Sequence, residues 1–182
     1  MNSDHDYLMK VQSMKPDLTK LPPGWLTDIE ANLLFKYAEQ CKGPILEVGC
    51  FKGRSTVVLA QTGRQIYSVD PFKNFAKYDP TGDDIEKCFR QNTKDLANVE
   101  LFVMSIEDWA IRPVGFAYLD GNHTYQGTAS QIAVARQCFP TYIAAHDVND
   151  SGGGLHVKMA CLDALGPWIE RSGRLAIFNN VY

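Results

Sequence analysis

The sequence has little excess of either charge. Its 18 Lys and Arg against 21 Asp and Glu leave a formal charge of −3 and a pI near 5.8. Proteins that track phosphates usually carry a basic excess on one face, so no nucleic-acid partner is expected. Cysteine is sparse and scattered. The 5 cysteines (Cys41, Cys50, Cys88, Cys138 and Cys161) form no pair at the spacing of a zinc knuckle or redox motif, and no triplet able to hold an iron–sulfur cluster. Buried, reduced thiols are the expectation, in a reducing cytoplasm. No apolar run reaches membrane-spanning length, and the start, Met1 to Asp6, is polar and acidic rather than that of a signal peptide, so no membrane is expected. Internal repeats are lacking, and the only low-complexity stretch is Gly152-Gly153-Gly154.

What is present is an ordinary globular composition, 45% hydrophobic and 21% charged over 182 residues, enough for one full core. Residues 1–24 read as a polar arm ending in Leu21-Pro22-Pro23-Gly24, which resists helix and central strand. Residues 25–182 read as the domain. Thr27-Asp28-Ile29-Glu30 is a capping box, and Ile29, Leu33, Leu34, Tyr37 and Ala38 follow at helical spacing until Gly43-Pro44 stops the helix. Short apolar runs then alternate with helical patterns. Strands are expected at 44–48, 65–70, 99–104, 116–120, 141–145 and 174–178, and helices at 56–61, 83–97, 125–139 and 155–165. This alternation indicates an α/β protein with a doubly wound, mostly parallel sheet and helices on both faces. In such sheets ligands bind beyond the carboxyl ends of the strands. Candidate site segments are therefore Glu47 to Ser55, Asp70, Ser105 to Asp108, Asp120 to Tyr125, and His146 to Asp150.

The turn after the first strand, Glu47-Val48-Gly49-Cys50-Phe51-Lys52-Gly53-Arg54-Ser55, narrows the ligand. It is one residue short of a phosphate loop and has Arg where that loop has Lys. It has Phe51 where a dinucleotide turn has its middle glycine, so a pyrophosphate is disfavoured. Asp70 ends the next strand about 20 residues on, where a carboxylate can accept from both hydroxyls of a ribose. A plain helix-entry turn capped by Ser55 or Thr56 is the alternative.

The pattern E-x-G-x-x-x-G-x-S resembles the first motif of class I methyltransferases. Together with Asp120-Gly121-Asn122-His123-Thr124-Tyr125 and His146-Asp147, it is similar to the type-24 methyltransferase domain family, which is related to sugar and macrolide O-methyltransferases and to cephalosporin-hydroxylase-like proteins. The likeness runs from about Gly24 to the C-terminus. It implies a Rossmann-like class I methyltransferase fold. It further implies S-adenosylmethionine held by Gly49, Gly53, Ser55 and Asp70, with Glu47 beneath the turn and Ser105 and Glu107 near the adenine. In metal-dependent relatives an acidic residue after the fourth strand and a pair after the fifth bind Mg²⁺; Asp120, His146 and Asp147 fall on those places. His146 departs from the usual carboxylate. Mg²⁺ prefers oxygen, so a histidine weakens the case for Mg²⁺ or favours a softer divalent cation.

The expected reaction is methyl transfer to a small-molecule acceptor, at a hydroxyl oxygen, with or without a metal. His123 is a candidate general base and Asp120 a candidate catalytic carboxylate. Alternatively, Asp120 and Asp147 cap the turns that follow them and His123 bonds locally. Phe72, Phe75, Tyr78, Trp109 and Tyr125 flank the expected cleft, as stacking partners or as core. Asp150 to Gly154 reads as a lid or a loose surface loop. Asp120-Gly121-Asn122-His123 is not the Asn/Asp-Pro-Pro-aromatic signature of base-amino methylation. A non-catalytic cofactor-binding or scaffold module and a hydroxylase-like activity remain rival readings, and a homo-oligomer is left open.

Overall fold

The computed structural model describes residues 15–73, 79 and 81–180. Helix α1 (Asp28–Gln40) leads into β1 (Ile45–Val48), α2 (Arg54–Ala60), β2 (Ile66–Val69), α3 (Ile85–Thr93) and β3 (Val99–Phe102). After a 3₁₀ turn at Ile106–Asp108 come β4 (Phe116–Leu119), α4 (Tyr125–Gln137), β5 (Tyr142–Ala145), α5 (Gly152–Leu165), β6 (Glu170–Ser172) and β7 (Leu175–Asn179). The strands form one sheet in the order β3-β2-β1-β4-β5-β7-β6. The first five are parallel, and β7 runs antiparallel to both β5 and β6. The chain leaves β1 in one direction for β2 and β3 and returns to its other side for β4. That reversal opens the crevice between β1 and β4 where ligands of such sheets sit.

Side chains alternate across the sheet and divide the core into two layers. Ile45, Ile66, Phe116 and Tyr118 pack under α1 and α2. Leu46, Val48, Ala117, Leu119 and Ile143 pack under α4 and α5. All four β1 residues are buried, as expected of a central parallel strand covered on both faces.

Three local expectations change. The segment Gly152-Gly153-Gly154 is the first turn of α5 rather than a lid or loop. A Cβ on Gly154 would lie 2.2 Å from the Asn149 side chain, so close packing overrides glycine's low helix propensity. Strand β6 was not expected; its polar Glu-Arg-Ser is recruited by β7 at the sheet edge. In α1 the capping box forms and Leu33, Leu34, Tyr37 and Ala38 are buried as their spacing implies, but the first turn reverses the pattern. Ile29 is 72% exposed and Glu30 1%. The described part of the arm packs on the domain: Asp17 and Gln61 exchange hydrogen bonds of 2.6 and 3.2 Å, and the Arg54 side chain holds the Pro22 and Leu26 carbonyls. Among the described residues, no helix is long and apolar enough to cross a membrane.

Candidate functional site

The glycine turn is held from below. Glu47, fully buried on β1, accepts from the hydroxyls of Ser55, Thr56 and Ser68 at 2.6–2.7 Å. Burial raises its pKa to about 7, against the lowering by those three donors. Asp70, at the end of β2, receives the Cys50 and Phe51 amides on Oδ2 (2.9 and 3.1 Å) and the Phe72 amide on Oδ1 (2.8 Å). Burial pushes its pKa up while the amides oppose that. Both carboxylates therefore act on the turn itself.

The two glycines make room for the chain's own atoms. Gly49 has φ +81°, and a Cβ there would lie 2.3 Å from the Asp120 carbonyl oxygen. Gly53, at φ +92° before α2, faces Thr93 and Phe89. Two residues of the turn not singled out from the sequence fasten its rim. Lys52 Nζ lies 2.7 Å from carboxylate oxygens of both Asp79 and Asp83, and Arg54 Nη2 lies 2.9 Å from Asp28. Trp25 stacks on Phe51 with ring centroids 4.5 Å apart.

Ser105 caps the turn after β3 without a side-chain bond. Glu107 is exposed and accepts from Ser130 of α4 at 2.7 Å. Neither makes a hydrogen bond to the glycine turn or to the cluster below. Trp109 is buried in the core layer under α4 and α5, Tyr125 is tied to Asp163, and Phe72 leans on Phe89. Phe75 and Tyr78 lie outside the described residues.

At the ends of β4 and β5 the sequence-derived residues converge. Asp120, His146 and Asp147 each offer one ligand atom, all within 4.8 Å of one another. His146 Nδ1 lies 3.5 Å from Asp120 Oδ1 and 3.8 Å from Asp147 Oδ1. His123 bridges the same carboxylates, with Nε2 3.4 Å from Asp120 Oδ1 and Nδ1 3.4 Å from Asp147 Oδ2. The Tyr118 hydroxyl donates to Asp120 Oδ2 at 3.0 Å. Asp147 adopts the left-handed region, φ +57°, a conformation that clusters at functional sites. A cavity of about 10 Å³ is lined by Asp120, Asn122, His123, Gln131 and His146.

Electrostatics bind the cluster together. Burial favours a neutral Asp120, but His146 and His123 overcome it and hold the carboxyl well below the usual range. Burial likewise opposes a charged His146, yet Asp120 and Glu30 raise it strongly. His123 is raised by its contact with Asp120. Glu30 was read from the sequence only as a helix cap. Here its Oε2 stands 3.5 Å from His146 Nε2, a position no local pattern encodes.

A family model described as a methyltransferase domain matches residues 46–148, more than half of the chain. No curated protein matches. Among solved structures, cofactor-bound Rv0187 from MTB is 17% identical, with TM-score 0.66 over 98% of this chain and 97% of that one. An O-methyltransferase from Bacillus cereus in complex with SAH is 15% identical, with TM-score 0.61 over 96% of each chain. The O-methyltransferase TomG from Streptomyces achromogenes, involved in tomaymycin synthesis and solved with SAM, is 15% identical, with TM-score 0.61 over 98% of this chain and 96% of that one. At such identities the structural likeness concerns the fold.

Proposed function

The chain belongs to the methyltransferase-domain family and is an S-adenosylmethionine-dependent methyltransferase; on that premise, we propose that it methylates a hydroxyl oxygen of a small-molecule acceptor with the help of a divalent cation. The observation that carries this reading is the meeting of Asp120, His123, His146 and Asp147 at the strand ends, directly against the glycine turn, where Gly49 touches the Asp120 carbonyl.

The acidic surroundings of the turn, with Glu47, Asp70 and Asp120, suit a sulfonium cation. In this reading Gly49, Gly53 and Ser55 shape the cradle for S-adenosylmethionine, and Asp70 serves the ribose edge as well as the turn. Ser105 and Glu107 border the adenine.

The cluster also fits a metal ion. Two ligands at about 2.1 Å from one ion stand roughly 3.0–3.5 Å apart, close to the 3.5 and 3.8 Å measured around His146 Nδ1. Asp147 Oδ1 is buried without a hydrogen bond of good geometry, although Arg174 Nη1 stands 2.7 Å away. Asp120, His146 and Asp147 would hold the ion. When bound, it lowers the pKa of a hydroxyl placed on it.

His123, partly exposed at the mouth, takes the hydroxyl proton as the oxygen approaches the methyl group, and Asp120 orients its imidazole. The methyl donor is already activated, so alignment and proton removal are the protein's contribution. Calorimetric titration with S-adenosylhomocysteine should show micromolar binding, and absence of binding by folded protein overturns the donor assignment. A panel of hydroxylated acceptors assayed with and without chelator tests the rest. Turnover unaffected by chelator overturns the metal, and methylation only at nitrogen or carbon overturns the hydroxyl.

A further inference from the structure

Glu30 receives more than a helix cap supplies. Its Oε2 accepts from the amide and the hydroxyl of Thr27, each at 2.8 Å. Its Oε1 accepts from the Arg174 amide, 144 residues away, at 2.7 Å. The hairpin between β6 and β7 is shaped around this carboxylate: Gly173 sits at φ +56°, and a Cβ there would lie 2.5 Å from Glu30 Oε1. Taking a carboxylate out of water costs more than a helix cap returns. Capping alone therefore does not account for a glutamate that is 1% exposed.

The remaining group facing it is His146. The His146 Nε2 atom is buried and has no hydrogen-bond partner; Glu30 Oε2, at 3.5 Å, is the acceptor facing it. The opposite ring nitrogen, Nδ1, faces Asp120 and Asp147. A histidine that ligates a metal through one nitrogen commonly gives its other N–H to a carboxylate, which fixes tautomer and ring orientation.

We propose that Glu30 is a positioning residue for His146, accepting from its Nε2–H so that Nδ1 turns its lone pair toward the gap between Asp120 and Asp147, and that this makes the centre a mixed nitrogen–oxygen site preferring a first-row transition cation to Mg²⁺. The inference rests on the metal reading given under Proposed function. Mg²⁺ favours an all-oxygen octahedron, while imidazole suits Fe²⁺, Ni²⁺ and Zn²⁺; Mn²⁺, the weakest binder of the first-row series, is the strictest probe of that preference. Glu30 touches neither acceptor nor donor and acts through His146.

The test uses the full chain and the metals alone. Calorimetry with Mn²⁺ and Mg²⁺ should show tighter binding of Mn²⁺. Glu30→Gln should weaken Mn²⁺ about 10- to 100-fold. Nitrogen-15 NMR of the Zn²⁺-loaded protein should show His146 bound through Nδ1 with its proton on Nε2, and the Nε2 signal should shift in the variant as the bond to a charged carboxylate is lost. Thr27→Ala breaks the cap but keeps the Glu30–His146 pair, so it should lower thermal stability and leave Mn²⁺ affinity unchanged. If Glu30→Gln does not fold, Glu30→Asp, which withdraws the charge by one methylene, should show the same loss. Wild-type Mn²⁺ affinity in the Glu30 variants, with His146→Ala weakened, overturns the positioning role and leaves the metal reading intact. Undiminished affinity in His146→Ala and Asp120→Asn overturns both. Equal or tighter binding of Mg²⁺ overturns the stated preference.

Discussion

The two halves of the crevice are built on opposite plans. On the β1–β2 side, carboxylates meet uncharged donors: Glu47 holds three hydroxyls and Asp70 three backbone amides. On the β4–β5 side, carboxylates meet imidazoles at 3.4–3.8 Å, with buried atoms left unbonded. The first arrangement is saturated and fixes a backbone. The second is poised, with charge and lone pairs directed at one small space. The difference separates what shapes the crevice from what acts in it, although both are written in the sequence as short acidic motifs.

Substitutions can break that division. The largest effect is expected on the poised side. His123→Gln should lower turnover about 10²- to 10⁴-fold, with donor binding and melting temperature nearly unchanged, in steady-state assays on the acceptor found by screening. A large fall in melting temperature instead would make His123 a part of the scaffold. On the saturated side, Gly49→Ala combines a positive φ with a Cβ driven into the Asp120 carbonyl. A loss of about 3 kcal/mol or more is expected from denaturant unfolding.

Glu47 sets a pH dependence whose sign follows from its raised pKa. The group moves from 4.5 in the unfolded chain to about 7 in the fold. Its contribution is therefore fully present below pH 4.5 and is lost as pH rises through about 7, amounting to about 3 kcal/mol. Glu47→Gln should remove that decline, so wild type and variant should diverge in unfolding free energy between pH 4.5 and 7. Parallel curves would show that the buried carboxylate does not titrate there. The smallest effect is expected for Asp70→Asn, which keeps one acceptor oxygen for three amides. A loss of about 1–2 kcal/mol in stability should accompany weaker S-adenosylhomocysteine binding. Unchanged affinity with reduced stability would confine Asp70 to the turn.

Much of this was legible locally. Strands β1 to β5 and β7 announce themselves as apolar runs, and Thr27 and Glu30 form the capping box their spacing implies. The glycine turn excludes phosphate and dinucleotide loops by spacing alone, and Asp120, His123, His146 and Asp147 were marked by lying just past strands. What was hidden depends on distant partners. Strand β6 has no apolar signature, because an edge strand needs only a neighbour's backbone. Gly154 is accommodated in the first turn of α5 where Asn149 fills the space a side chain would need. Ile29 and Glu30 exchange the environments their hydrophobicity suggests, because His146 and the β6–β7 hairpin wait on the glutamate's side.

The α/β class, the place of the crevice and the residue types in it follow from local pattern alone. Periodicity and turn chemistry are local, and strand ends inherit their position from the sheet. The duties of those residues come from packing. It gave Glu47 and Asp70 to the turn, brought Asp120, His123, His146 and Asp147 within a few ångströms, and set Glu30 behind His146. Those duties rest on distances between groups up to 144 residues apart, which only packing, and no local preference, can fix.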